Sequence, residues 1–209
     1  MPQSPADHRY KDRPLVLASR SQARVRLLAE AGIAAEAVPA DLDERATERP
    51  LSQAGAGPAE IALALAGAKA RATALLRPEA IVIGCDQTLD LDGVKFDKAP
   101  DVAAARDQLA RLCGRTHVLH SAVAVREPDG SLWCHVSDAR LTMRPFSNAF
   151  LDAYVAAEGE ALTGTVGAYR LEGRGIQLFS AIEGDYFTIL GLPLLALAGR
   201  LRTLGVLLS

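Results

Sequence analysis

The stretch Ala80-Ile-Val-Ile-Gly-Cys85, followed at once by Asp86, decides the fold. A run with no polar side chain reads as a strand covered on both faces, the central position of an α/β sheet. Asp86 then stands at the strand's carboxyl end, where open α/β sheets hold their ligands. A carboxylate emerging there is oddly placed for packing alone, although a single Asp after a strand also serves to start a turn. The choice depends on what else reaches the same point.

Working upstream, Leu15-Val-Leu-Ala-Ser19 is a shorter buried strand, and Ser21 is the N-cap of a helix that Gly32 ends. A second strand is expected over 34–41, leading into the acidic loop Asp41-Leu-Asp-Glu44. Residues 48–57, rich in Pro, Gly, Ser and Gln, are expected to form a mobile surface connection. Pro58 opens a helix over 58–76 whose Ile61, Leu65, Ala68, Ala72 and Leu75 make a stripe at helical period.

Downstream, 88–98 alternates around Asp92-Gly93, a hairpin signal. Asp101 caps a helix to Leu112, and 116–125 and 132–143 are long strands turned by Asp129-Gly130. Ser147 caps a helix through Ala157, the glycine-studded 159–191 is expected to hold further strands, and Pro193 begins a terminal amphipathic helix. The apolar stretch 189–199 reads as core helix, well short of the ~18 apolar residues of a membrane span.

Helices and strands alternate without repeat or linker, which predicts an α/β fold as a single unit over 14–209 after a flexible tail over 1–13. The chain has 209 residues, 49% hydrophobic and 23% charged, with a net charge of -2. That composition excludes a disordered chain and a basic field able to hold nucleic acid. The tail has no apolar h-region, and Cys85, Cys113 and Cys134 are odd in number and widely spaced, so a reducing cytoplasm without disulfides or zinc knuckles is expected.

Several groups are candidates to join Asp86. Asp41-Leu-Asp-Glu44 offers oxygen donors to a hard cation, or is a solvated loop. Lys69 borders the apolar stripe of its helix, by snorkelling or for function. Lys98 is returned toward Asp86 and Gln87 by the hairpin, its facing set by register. Ser19-Arg-Ser21-Gln-Ala-Arg24, between a strand and a helix N-terminus, can present N–H groups, hydroxyls and a guanidinium to phosphate, or is an ordinary cap. His8, His117, His120 and His135 have no metal-ligand spacing, no serine sits in a nucleophile elbow, and no G-x-G-x-x-G follows the first strand. Covalent catalysis and dinucleotide-dependent redox chemistry therefore have little support.

Taken jointly, these segments resemble the Maf family of nucleoside triphosphate pyrophosphatases from Leu15 onward. The matching residues are Leu17-Ala-Ser-Arg-Ser21 with Arg24, Asp41-Leu-Asp-Glu44, Leu65 to Lys69-Ala70, Ile83-Gly-Cys-Asp86, Leu91-Asp-Gly93 with Lys98, and Gly114-Arg-Thr-His117. Gly167-Ala-Tyr-Arg-Leu-Glu-Gly173, Ile182-Glu-Gly-Asp185 and Gly191-Leu-Pro-Leu194 extend the match. The resemblance implies a homodimer of two-lobed α/β chains, each with a deep cleft and a central mixed sheet akin to that of inosine triphosphate pyrophosphatases. It implies that Asp86 accepts the proton of the attacking water and that Glu44 and Asp86 approach Mg²⁺ or Mn²⁺. Ser19, Arg24, Lys69 and Lys98 would hold the triphosphate. Beside such a cation the carboxylates are expected to stay ionised, with catalysis rising toward alkaline pH.

Three departures bear on the base. Where the thymidine and uridine triphosphate branch has Pro-Arg-Arg, Asp-Thr and Ile-Gln-Gly, this chain has Gln22-Ala23-Arg24, Asp86-Gln87 and Leu171-Glu172-Gly173. Ala23, Gln87 and Glu172 are similar to the branch acting on 7-methyl-GTP. Guanine presents N1–H and N2–H₂ together, which suits the two oxygens of Glu172, and a methylated, cationic guanine gains from its negative charge. Ala99 after Lys98, and Arg26, depart from the family's usual proline and glutamate. The rival expectation is a regulator of septum formation that binds nucleotide without turnover.

Overall fold

The computed structural model describes residues 10–208. The predicted central strand is β3 (Ile81–Leu91), which runs well past Cys85 and carries Asp86 and Gln87 within it. Asp86 is open for a reason of pairing rather than strand termination. β1 (Leu15–Ala18) lies parallel to β3 only along Ile81 to Gly84, and β4 (Val94–Phe96) lies antiparallel to it only along Leu89 to Leu91. Between them one edge of β3 has no strand partner, so the sheet is notched at Asp86. On its other edge β3 pairs without interruption with β5 (Thr116–Arg126), followed by β6 (Leu132–Met143) and β7 (Phe179–Glu183). With the two-residue β2 (Glu36–Ala37) outside β1, the order is β2-β1-β3-β5-β6-β7 with β4 on β3, a mixed sheet as expected.

One sheet carries two lobes because its long strands pack differently along their length. Around β1 and the first half of β3, Leu17, Ile81 and Ile83 meet Leu27 and Leu28 of α1 (Gln22–Glu30) and Leu197 and Leu201 of α7 (Leu194–Thr203). On the opposite face, Val16, Val82, Ala122 and Ala124 lie under Ala62, Ala66 and Ala70 of α3 (Pro58–Leu76). The second lobe gathers Leu89, Phe96, Leu119, Leu141 and Met143 against α4 (Val102–Leu112) and α5 (Asn148–Glu158). The notch falls where the two lobes meet.

Gly84 sets how closely α3 approaches. A Cβ there would stand 2.1 Å from the Ala66 carbonyl oxygen and 2.7 Å from the Ala70 nitrogen. Glycine facing alanines thus seats the helix backbone on the strand, and Lys69, next to Ala70, is carried to the level of Asp86. The Asp92-Gly93 turn has positive φ at both positions (54° and 82°), the geometry that joins β3 to β4 in a tight hairpin.

Several expectations are corrected. The second strand shrinks to two exposed residues, and most of 48–57 is helix rather than an irregular connection: α2 (Glu44–Gln53) starts from an Asp43 cap and continues through Pro50. The buried stripe of α3 keeps Ile61 and Leu65 but then follows Ala66, Ala70 and Thr73, leaving Leu75 85% exposed. Small residues win because the helix sits so close to the sheet. Residues 159–191 hold only β7 as a strand, together with two 3₁₀ turns and the short α6 (Tyr186–Ile189). The apolar stretch 189–199 is broken at Gly191, whose φ of 89° reverses the chain before α7. Of the predicted tail, residues 1–9 lie outside the described residues, while Tyr10 is buried with Leu15 and Leu27. No helix among the described residues is long and apolar enough to cross a membrane.

Candidate active site

Asp86 is 8% exposed, with its carboxylate facing α3. The Lys69 ammonium donates to Asp86 Oδ1 at 2.6 Å and lies 3.0 Å from Glu44 Oε1 in the first turn of α2. Three elements distant in sequence therefore converge: β3 supplies the base candidate, α3 the cation and α2 the second carboxylate. Burial is the largest influence on the Asp86 carboxyl and raises its pKa, while Lys69 and Arg24 pull it down and Glu44 adds to the rise. A carboxylate held above its usual range is a better proton acceptor once ionised.

The residues fit a divalent cation by their chemistry. Two carboxylates already share one positive centre, the Lys69 ammonium. Mg²⁺ and Mn²⁺ take one or two carboxylates and complete their shells with water and phosphate oxygens. No cluster of three or more His, Cys, Asp or Glu able to hold a metal occurs among the described residues, so further oxygens would have to come from substrate and water.

The notch opens into a cleft of ≈ 1410 Å³, and every residue singled out for substrate, specificity or metal lines it: Ser19, Ala23, Arg24, Glu44, Lys69, Asp86, Gln87, Lys98 and Glu172. They are not equally free. Arg24 is a brace, its Nε donating to the Gly191 carbonyl at 2.8 Å and its Nη1 to the Cys85 carbonyl at 3.1 Å. That second bond satisfies a carbonyl left without a strand partner at the notch. Ser19 Oγ accepts from the Ser21 nitrogen and, at 3.4 Å, from Arg24. Gln87 faces away from Asp86, and its amide nitrogen is held by Ser121 Oγ and the carbonyls of Thr188 and Ile189. Its Oε1 makes no hydrogen bond among the described residues. Lys98 is exposed at the rim, and Glu172 is exposed on the facing lobe beside Arg170.

The cleft also has residues that the sequence alone did not single out. Lys95 bridges Glu48 of α2 at 2.8 Å and Asp97 at 2.5 Å. Arg45 and Arg49 line the cleft from the same helix, and Tyr169 from the second lobe, where its hydroxyl meets His117 Nε2 at 2.7 Å. The four-residue step from Glu44 to Glu48 was the available signal, visible only once α2 is taken as a helix.

Comparison with known proteins finds similarity along most of the chain. A 7-methyl-GTP pyrophosphatase of Rhizobium meliloti is 51% identical over 193 residues, covering 92% of this chain and 97% of its own. One of Mesorhizobium japonicum is 50% identical with the same coverage. A nucleoside triphosphate pyrophosphatase of Granulibacter bethesdensis is 51% identical over 188 residues, covering 90% of this chain and 95% of its own. A solved dITP/XTP pyrophosphatase of Mycobacterium abscessus aligns at 18% identity with a TM-score of 0.40, covering 72% of this chain and 96% of that one, a likeness too distant to bear on the chemistry. The model of the Maf-like proteins matches residues 14–204, from the start of β1 to the end of α7 and so across both walls of the cleft: the chain belongs to the Maf family.

Proposed function

We propose that the protein hydrolyses a nucleoside triphosphate to the monophosphate and pyrophosphate, with 7-methyl-GTP preferred. The observation that carries this is Asp86, a buried carboxylate at a notch in the sheet, shared with Glu44 through one ammonium on the wall of a nucleotide-sized cleft. The activities named for the close relatives support the same chemistry.

Asp86 accepts a proton from a water as the water oxygen bonds to the α-phosphorus. The α–β bridging bond breaks, and its electron pair leaves with pyrophosphate. Lys69 and Lys98 face the negative charge that builds on the phosphates, and the first turn of α1 adds N–H groups beside Ser19. Glu44 and Asp86 would hold Mg²⁺ or Mn²⁺, which when bound supplies positive charge to the same oxygens. Glu172 reads the two guanine donors from the facing lobe, and Gln87 Oε1 offers one more acceptor. Ala23, on the wall of the same cleft, is the third position that selects the base in this proposal. A good bidentate contact is worth about 1–3 kcal/mol of discrimination, by analogy with base readout in nucleic acids. We take the enzyme to work as a cytoplasmic homodimer, which light scattering and fractionation would check.

Pyrophosphate release from a panel of purine and pyrimidine triphosphates, with metal and with chelator, tests the proposal. Wild type should favour 7-methyl-GTP, Glu172→Gln should erode that preference, and chelator should stop turnover. Equal rates on every base in both proteins would remove the specificity. No product from any triphosphate would leave the non-hydrolytic regulator as the better account.

A further inference from the structure

Glu44 is the weakly held member of the site. Its side chain is 53% exposed, and an ion pair that wet contributes little to fixing either partner. Its position is therefore the position of α2, and α2 has little to fix it: no residue of the helix is buried. At ten residues with Pro50 inside, α2 is also too short to be stable as an isolated helix, which takes roughly 12–15 residues even in favourable sequences.

A second tie lies one turn further on. Glu48 meets Lys95 Nζ at 2.8 Å with side chains only 22% and 17% exposed, and Lys95 is itself held by Asp97 at 2.5 Å. Lys95 lies on β4, directly across from Asp90 of β3, so it is a fixed point on the same sheet that carries Asp86. The 44/48 spacing puts both carboxylates on one helix face. The two bridges thus span the cleft mouth, from α3 at Lys69 to the hairpin at Lys95. Lys95 keeps its proton: burial would lower its pKa, but Asp97 and Glu48 outweigh that and raise it.

Resting on the proposed cation site at Glu44 and Asp86, we infer that Glu48 and Lys95 are positioning residues that dock α2 on the sheet and so bring Glu44 to the place where it meets the cation. They act through Glu44 rather than on the reacting atoms. Losing them should loosen Glu44 more than it disturbs Asp86, so the deficit should appear in metal affinity and be overcome by excess metal. Partners that orient a metal ligand typically change metal affinity by about 10–100-fold when removed.

The test uses the whole protein, with Glu48→Gln, Lys95→Met and the charge-swapped pair Glu48→Lys with Lys95→Glu. Three quantities are read: binding of Mn²⁺ alone by water-proton relaxation, the Mn²⁺ concentration giving half-maximal pyrophosphate release, and amide hydrogen exchange across 44–53. Either single variant should exchange faster across α2 alone, bind Mn²⁺ about tenfold or more weakly, and recover near wild-type kcat at saturating metal. The swapped pair should recover only part of the affinity, because Asp97 opposes the new carboxylate at position 95; recovery of kcat at saturating metal is what a merely structural role would not predict. Faster exchange with unchanged Mn²⁺ affinity would overturn the inference and leave the proposed function standing. A folded wild type that binds no Mn²⁺, with or without nucleotide, would instead overturn the cation site and the inference with it.

Discussion

Two helices form neighbouring walls of the same cleft, and they are held in opposite ways. α3 buries Ile61, Leu65, Ala66 and Ala70 against β3 and approaches so closely that Gly84 has no room for a side chain. α2 has no fully buried residue and is tied by Glu44 to Lys69 and by Glu48 to Lys95. Lys69 and Asp86 belong to the packed wall, Glu44 to the tethered one. A group that must keep its geometry through every turnover is best fixed by packing, whereas a group that joins a bound ion can sit on an element of lower local stability.

If that division holds, Asp86→Asn and Glu44→Gln should differ in kind. The first removes the proton acceptor and should lower kcat by about 10²–10⁴-fold, with no rescue by metal. The second should act mainly on the metal requirement, and an irreversible loss of kcat equal to that of Asp86→Asn would erase the distinction. The packed wall is broken most directly at Gly84→Ala. The added Cβ meets backbone atoms of α3, which cannot move aside as a flexible side chain would, so unfolding stability should drop by about 3 kcal/mol, the upper end of ordinary overpacking. A urea midpoint unchanged from wild type would show that the close seating of α3 is not required.

The same contrast explains what was legible in the sequence. β3 and α3 announce themselves through a continuous apolar run and a Pro58 start, and the hairpin through Asp92-Gly93, because those signals are local. The residues of the site were legible as an ordered set of family segments, and the cleft gathers them. Hydrophobicity alone places Leu75 in the stripe of α3, whereas a helix seated on glycine buries Ala66 and Ala70 instead. α2 is not legible locally because its Pro50 and polar composition mimic a loop, and its helix is held by partners on α3 and β4 that no local window contains. The notch depends on where β1 stops and β4 starts along β3, a property of strand pairing that a single strand's sequence does not carry.

Acid should attack the packed body rather than α2. His117 is buried with its Nε2 on Tyr169, and burial lowers its pKa from 6.5 to about 4. Between those values the unfolded chain binds the proton and the folded chain does not, so this contribution is intact above pH 6.5 and is lost as pH falls toward 4. From pH 6.5 to 5 the loss is about 2 kcal/mol, at 1.36 kcal/mol per unit. Urea midpoints at the two pH values measure it, and His117→Gln should flatten the slope. An equal slope in that variant would assign the acid sensitivity elsewhere.

The smallest effect separates the walls most cleanly, because it applies one change to two helices. Asp101 Oδ1 caps α4 by accepting from the Ala104 nitrogen at 2.8 Å, and Asp43 Oδ1 caps α2 by accepting from the Ala46 nitrogen at 3.0 Å. Replacing either with Ala should cost its helix about 1 kcal/mol. α4 buries Ala105, Leu109 and Leu112 in the second lobe, so it cannot open without the core, and Asp101→Ala should lower the global midpoint by that amount. α2 can open alone, so Asp43→Ala should leave the global midpoint where it was and instead speed amide exchange across 44–53 by about fivefold, the factor that 1 kcal/mol represents. Equal falls in the two midpoints would mean that α2 unfolds with the body, and the cleft would then have one kind of wall rather than two.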